Sequence, residues 1–253
     1  MSIFWRTVRP LGFVTGLYDR LIPSAYHHAL ERMVEAVELD PGFRVVDVGC
    51  RTGCLIDPLR GPLGRLRGHY TGVDANTAAL RRARQRSYDA ALADYTTLVE
   101  GSITRALPLP SASQDGAFAH FTFYKIPDAS ERSQCLREMH RVVKPGGFVA
   151  LLDPGPEHTG RAVVDETREL RDRAIYVDAR EQWFEERILL PFILRFEDGL
   201  SRQIAKGAYA SRTPEAVRAE LLAAGFEITG AEDLYGGGSH LVIGRKPGEG
   251  QAS

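Results

Sequence analysis

Between Arg44 and Pro154 the chain repeats one unit: a short apolar run, a turn, then a stretch with helical spacing. "RVVDVG" (44–49) leads into "GCLIDPLRGPLG" (53–64), a helical or irregular piece, and "HYTGVDA" (69–75) leads into "NTAALRRARQRS" (76–87). "YTTLVEGS" (95–102) and "DGAFAHFTF" (115–123) add two further strands, and "ASERSQCLREMHRVV" (129–143) is a helix before the strand "GGFVALLDP" (146–154). Strands buried on both faces and separated by helices call for a parallel sheet covered on each side. Few other architectures accept this pattern.

The flanks complete the plan. "PSAYHHALERMVEAVEL" (23–39) spaces Ala25, Leu30, Met33, Val34 and Val37 as an amphipathic helix, with Ser24 as the expected N-cap. "TPEAVRAELLAAGF" (213–226) carries the marks of a helix: Thr213 to cap it, Pro214 in its first turn, Gly225 past its end. "EITGAEDLYGGGSHLVIGRK" (227–246) reads as two strands around a glycine run, most simply a hairpin. Residues 155–212 break the alternation with charge and aromatics, as in "EQWFEERILLPFILRFEDG", and are expected to form inserted helices. The expected fold is therefore α/β: a Rossmann-like, doubly wound, seven-stranded, mostly parallel sheet with an antiparallel terminal hairpin and a helical insert.

A glycine turn at a strand end is a common nucleotide site, and "VVDVGCRTG" (45–53) narrows which nucleotide. Counting G-x-G-x-x-G from Gly49 puts the second and third glycines at 51 and 54, which are Arg51 and Cys54. The dinucleotide reading fails at both. No Gly-Lys-Ser/Thr follows the strand, so a P-loop fails as well.

In order and spacing the motifs resemble those of class I S-adenosylmethionine-dependent methyltransferases. "VVDVGCRTG" is similar to the first motif of that family, "YTGVDAN" to the second, "LVEGSI" to the third, and "HRVVKPGGFVALLDP" to the approach into strand five. "DGAFAHFTFYKIPD" resembles strand four of small-molecule members, notably the ubiquinone/menaquinone C-methyltransferase-like group. The match spans residues 25–155 and 213–246. It implies S-adenosylmethionine as cofactor, held by Asp47, Gly49, Cys50, Arg51, Gly53, Asp74, Ala75, Gly101, Ser102, Ile103, His120 and Phe121.

Physical reasons stand beside the resemblance. Gly49 and Gly53 permit a sharp turn and a close approach that a Cβ would obstruct. A helix N-terminus behind them offers free N–H groups to a carboxylate. Asp74, 21 residues after Gly53, can accept both ribose hydroxyl protons, or it can cap the helix of "NTAAL". Asp47, by resemblance, orients the loop or the methionine ammonium; a strand-end hydrogen bonder is the other reading. Relatives often carry an acidic residue at the adenine contact, where this chain has Ser102, with Glu100 two residues earlier.

Arg51 replaces a glycine usual in relatives, and three roles are open. Its side chain points to solvent with φ kept negative, or meets the cofactor carboxylate, or fills part of the pocket. The last would leave a fold that no longer methylates.

Methyl transfer needs mainly orientation, and a general base where the acceptor is protonated. His120 is the first candidate base and Tyr124 the second; a packing role for His120 in "FAHFTF" is the alternative. His27, His28 and His158 have no spacing that selects them. Trp183, Phe184, Ile188, Leu189, Phe192 and Phe196 are expected either to line an acceptor pocket or to pack an amphipathic helix on the core. Phe4, Trp5, Phe13 and Tyr18 would close it from the N-terminal side. The division is a helical lid segment over 1–40, a cofactor core over 41–154, an acceptor cap over 155–212, a final helix and hairpin over 213–246, and a tail from 247 to 253.

Composition sets the remaining limits. A net charge of -1 argues against a nucleic-acid binder, although Arg81, Arg82, Arg84 and Arg86 leave an RNA-facing surface as a rival. No apolar run is long enough for a membrane span, and the N-terminus lacks a signal-peptide pattern. Cys50, Cys54 and Cys135 are too few for a disulfide scaffold and suit packing thiols in a reducing cytoplasm; no metal is expected. The expected partner is a small apolar or aromatic acceptor, with an oligomer left open.

Overall fold

The computed structural model describes residues 23–173 and 179–248. Seven strands form one sheet: β1 (Arg44–Val48), β2 (His69–Asp74), β3 (Thr96–Glu100), β4 (Gln114–His120), β5 (Val143–Pro154), β6 (Glu227–Leu234) and β7 (Ser239–Arg245). Their order is β3-β2-β1-β4-β5-β7-β6. Strands β1 to β5 run parallel, and β7 is antiparallel to both β5 and β6. The chain order turns back between β1 and β4, the switch point where such sheets open a crevice at the carboxyl ends of the strands.

Eight α-helices are described: α1 (Ser24–Glu35), α2 (Ile56–Leu66), α3 (Thr77–Asp89), α4 (Ala129–Val142), α5 (Gly160–Asp172), α6 (Ala179–Phe184), α7 (Leu190–Ala205) and α8 (Pro214–Ala223). A wide π turn over Glu185–Leu189 joins α6 to α7. Side chains on successive strand positions point to opposite faces. Accordingly Phe118 joins the core under α1, α2 and α5, while its neighbours Ala117 and Ala119 join Leu136, Met139 and Leu221 on the other side. Both faces are apolar because both are covered.

Caps explain most helix starts. Asn76 accepts the amides of Ala78 and Ala79, Asp128 those of Ser130 and Glu131, and Thr213 that of Ala216. Ser24 corrects the sequence reading: the cap position of α1 belongs to Pro23, extended at ψ 152°, and makes no side-chain bond. With Pro23 holding the extended cap, Ser24 falls inside the first turn. Phe4, Trp5, Phe13 and Tyr18 lie outside the described residues.

Candidate functional site

Strand β1 ends in a tight loop. Gly49 holds φ at 80° and Gly53 at 73°, the left-handed region that costs a residue with a Cβ. A Cβ on Gly49 would lie 2.6 Å from the Thr122 side chain, and one on Gly53 would lie 3.0 Å from Ala83 of α3. The close approach at both glycines therefore comes from neighbouring elements of the protein. Between them Arg51 also adopts φ 51°. The reading that kept its φ negative is corrected: the loop must reverse here, and the backbone accepts the strain.

Asp74 holds that reversal. Its Oδ2 accepts the Arg51 amide at 2.9 Å, and its Oδ1 accepts the Asn76 amide at 2.8 Å. The cap of α3 is Asn76, so Asp74 ties two loops together at the crevice and remains half-buried. Ala75 beside it is exposed. Gly101, at the end of β3, donates its amide to the Asp74 carbonyl at 3.1 Å, and Ser102 Oγ lies 3.2 Å from Thr104 Oγ1. Ile103 packs half-buried on the core face that contains Val73.

Behind the loop runs a buried polar chain that links β1, β2, β4 and α1. Tyr70 donates to Asp47 Oδ2 at 2.7 Å, His120 Nε2 lies 3.4 Å from the same oxygen, and His120 Nδ1 lies 3.0 Å from the Tyr26 hydroxyl. An ionised carboxylate can only accept, so a neutral His120 would carry its proton on Nε2 and accept from Tyr26 at Nδ1. Asp47 Oδ1 is buried without a hydrogen-bond partner. Phe121 stacks on Tyr26 at 5.1 Å and on Tyr235 at 6.3 Å, closing the crevice on its α1 side.

The carboxylates set the local potential. Burial pushes the Tyr70 phenol and the Cys50 thiol well up, and Asp47 adds to both shifts; Asp74 adds to that of Cys50. A field that keeps these groups neutral also favours a cation. Lys125 is held well below the usual ammonium range by burial first and then by Arg51, while Asp74 and Asp153 pull the other way.

Sequence reasoning missed Lys125, Asp153, Arg212 and Tyr26. Asp153, at the end of β5, accepts the Thr122 amide at 2.9 Å and pairs with Arg212, both side chains being buried. Arg212 also reaches Glu220 of α8 at 2.6 Å, and Glu220 takes Arg132 of α4 at 2.9 Å. Burial is the main reason that Asp153 titrates above the ordinary carboxylate range, with Arg212 opposing. An acidic strand end in "LLDP" was a usable signal; Arg212 had none.

The remaining candidates have neighbours of their own. Tyr124 is buried, edge-on to Tyr209 at 5.2 Å, and its carbonyl accepts the Ala210 amide. His27 and His28 are half-buried on α1, and His158 is buried against Glu197 at 3.0 Å. Cys50, Cys54 and Cys135 are buried and form no disulfide, and Thr52 Oγ1 lies 3.4 Å from Cys54 Sγ. Arg86 joins α3 to Asp57 of α2 and to the Thr52 carbonyl, whereas Arg81 and Arg84 are exposed. The aromatic expectation for the insert is corrected at four positions: Trp183, Phe184, Ile188 and Phe192 are exposed, because Leu190 and Ile193 supply the inward face.

Comparison with known proteins agrees with this geometry. A family model described as a methyltransferase domain matches residues 46–151. The 2-phytyl-1,4-naphtoquinone methyltransferase of Thermosynechococcus vestitus is 29% identical over 241 residues, covering 92% of this chain and 96% of that protein. A demethylmenaquinone methyltransferase of Desulfitobacterium hafniense is 35% identical over 49% of this chain and 47% of its own length. Among solved structures, a SAM-dependent methyltransferase from Aquifex aeolicus shares the fold with a TM-score of 0.61 and 17% identity, over 91% of this chain and 97% of that one. Residues 46–151 thus match a methyltransferase domain, and the glycine loop, the acidic end of β2 and the sheet order resemble those of class I, S-adenosylmethionine-dependent methyltransferases.

Proposed function

We propose that this enzyme methylates carbon or oxygen of a small, largely apolar acceptor of the quinol type. The observation that carries the reading is the pair of carboxylates flanking the β1 loop, Asp47 with a buried unpartnered oxygen and Asp74 at the crevice mouth. A buried orphan acceptor is costly, and an ammonium donor would satisfy it. The residues present therefore fit S-adenosylmethionine. Bound there, it supplies a methyl group on a sulfonium.

The chain's own residues do the rest. Asp47 Oδ1 receives the methionine ammonium, and the loop Gly49, Cys50, Arg51 and Gly53 faces the carboxylate, with the Arg51 guanidinium as its charge partner. Asp74 and Ala75 hold the ribose, while Gly101, Ser102 and Ile103 border the adenine. His120 and Phe121 wall the sulfonium side. Where the acceptor is a protonated quinol, its proton passes to the Tyr26 oxygen as Tyr26 gives its own to His120 Nδ1, because Tyr26 and Asp47 already occupy both ring nitrogens. Tyr124 is the alternative base.

The domain roles follow the same reading: a lid over 1–40, a cofactor core over 41–154 closed by 213–246, and an acceptor cap over 155–212. The curated relatives carry quinone names, which supports a lipophilic acceptor. Three buried cysteines without a disulfide suit a reducing cytoplasm. None of the described helices is long and apolar enough to cross a membrane.

A second reading is favoured by one observation: Arg51 stands in the glycine loop at φ 51°, where its side chain would have to share the crevice with the cofactor. Under it the fold would keep its shape without methylating. Isothermal titration with S-adenosylmethionine and S-adenosylhomocysteine separates the two. Micromolar binding of both, weakened by Asp74→Ala, is expected; no heat from well-folded protein would discard the methylation reading.

A further inference from the structure

The helical run from Ala179 to Ala205 turns its apolar side chains two ways. Leu190 and Ile193 are buried toward the core, as a surface helix requires. Yet Trp183, Phe184, Ile188 and Phe192 point outward, exposed at 62, 47, 49 and 44%. Arg187 and Arg195 are exposed on the same run. A π turn over Glu185–Leu189 lies within this exposed stretch.

Three carboxylates of this run, Glu185, Glu186 and Glu197, are engaged elsewhere. Glu186 binds Arg168 and Arg171 at 2.8 and 2.6 Å, Glu185 reaches Arg171 at 3.3 Å, and Glu197 takes His158. The exposed side of the described residues 182–196 is therefore aromatic, aliphatic and cationic, with its acids held against α5 or the core. Aromatic rings beside arginines, without anions, match the boundary of a lipid bilayer that carries negative headgroups. A protein partner of ordinary surface would meet exposed rings whose polar neighbours are chiefly the two guanidinium groups and the Gln182 amide.

We propose that this face, centred on Trp183, Phe184, Ile188 and Phe192 with Arg187 and Arg195, docks the enzyme on an anionic membrane surface. Its use rests on the reading of a lipophilic acceptor, because a molecule dissolved in a bilayer must be met at the bilayer. The site needs neither cofactor nor acceptor to bind lipid, so it can be tested alone.

The test uses the full chain carrying Trp5→Phe, which leaves Trp183 as the sole tryptophan of the two. Flotation is measured with vesicles of phosphatidylcholine and with vesicles in which about a quarter of the lipid is phosphatidylglycerol. The expected result is about tenfold stronger partition to the anionic vesicles, falling as salt rises, with a blue shift of Trp183 emission. Phe184→Ser with Phe192→Ser should remove at least tenfold of the partition, and Arg187→Gln with Arg195→Gln should remove the anionic preference. The arginine pair and the emission shift keep the test decisive if the phenylalanine variant fails to fold. Equal partition of wild type and both variants would overturn the proposal. So would an emission shift that follows protein concentration without lipid, which would assign the face to a second copy of the chain. Loss of cofactor binding leaves these readings unchanged, so a failure of the methylation reading is recognised separately.

Discussion

The carboxylate of Asp74 accepts the backbone amide of Arg51 at 2.9 Å, and this bond secures a non-glycine residue at φ 51°. One side chain thus shapes the β1 loop and stands at the crevice mouth. Asp74→Ala removes an acceptor from two amides and should cost about 1–3 kcal/mol of stability in urea unfolding. It should also weaken S-adenosylhomocysteine binding at least tenfold, with Asp74→Asn between the two. Unchanged affinity in Asp74→Ala would remove this residue from the cofactor site.

Arg51→Gly tests the neighbouring residue. A left-handed non-glycine costs about 1–2 kcal/mol, partly offset by the greater freedom of glycine when unfolded. The variant should therefore be as stable as the parent or about 1 kcal/mol more so. Loss of the guanidinium should lower cofactor affinity about tenfold, as expected for a charge-assisted bond. Tighter binding instead would mark Arg51 as an obstruction.

Arg212→Met leaves Asp153 buried without its cation, and such losses cost about 3–5 kcal/mol. The pH dependence has a definite sign. Asp153 titrates above its unfolded value, so the stability linked to its proton is present at low pH and is lost as pH rises through the folded pKa. Removing Arg212 raises that pKa further. The stability deficit of the variant should therefore shrink as pH falls toward it, measured by chemical unfolding at several pH values. A deficit independent of pH would contradict the pairing.

Glu186 makes the opposite case. Its bonds from Arg168 and Arg171 lower its pKa from 4.5 to about 2. The stabilisation it gives is present above 4.5 and lost as pH falls toward 2. Hydrogen exchange over α6 and α7 should rise through that window before the central sheet opens. Glu186→Gln should show the faster exchange already at neutral pH.

The thiols give a simple check. Burial pushes Cys135 up to about 12, aided by Glu138, and Cys50 rises well above its usual range. Both should resist iodoacetamide in native protein at mildly alkaline pH and react after unfolding. Rapid native labelling would place them in a more open environment.

Local signals carried most of the fold because the alternation, the Asn76, Asp128 and Thr213 caps and the glycine turns act within a few residues. Ser24 misled because proline before it competes for the same extended cap position. The crevice was legible wherever a residue ends a strand, as Asp47 and Asp74 do. It was not legible where a partner arrives from far along the chain: Tyr26 meets His120 across 94 positions, and Arg212 meets Asp153 across 59. The insert was harder still. Its composition showed aromatics, but the run contains a π turn over Glu185–Leu189, which a periodicity of 3.6 does not describe.

The place of β7 has a consequence for how the molecule is made. It follows β6 in the chain, yet it lies between β5 and β6. A nascent chain can assemble β1 to β5 while synthesis continues, but β6 emerges before the strand that will join it to the sheet. Until residues 239–245 are available, β5 keeps an open edge and β6 has no place in the sheet. Closure of the sheet thus waits for β7, and a chain cut before Ser239 would leave β6 unjoined.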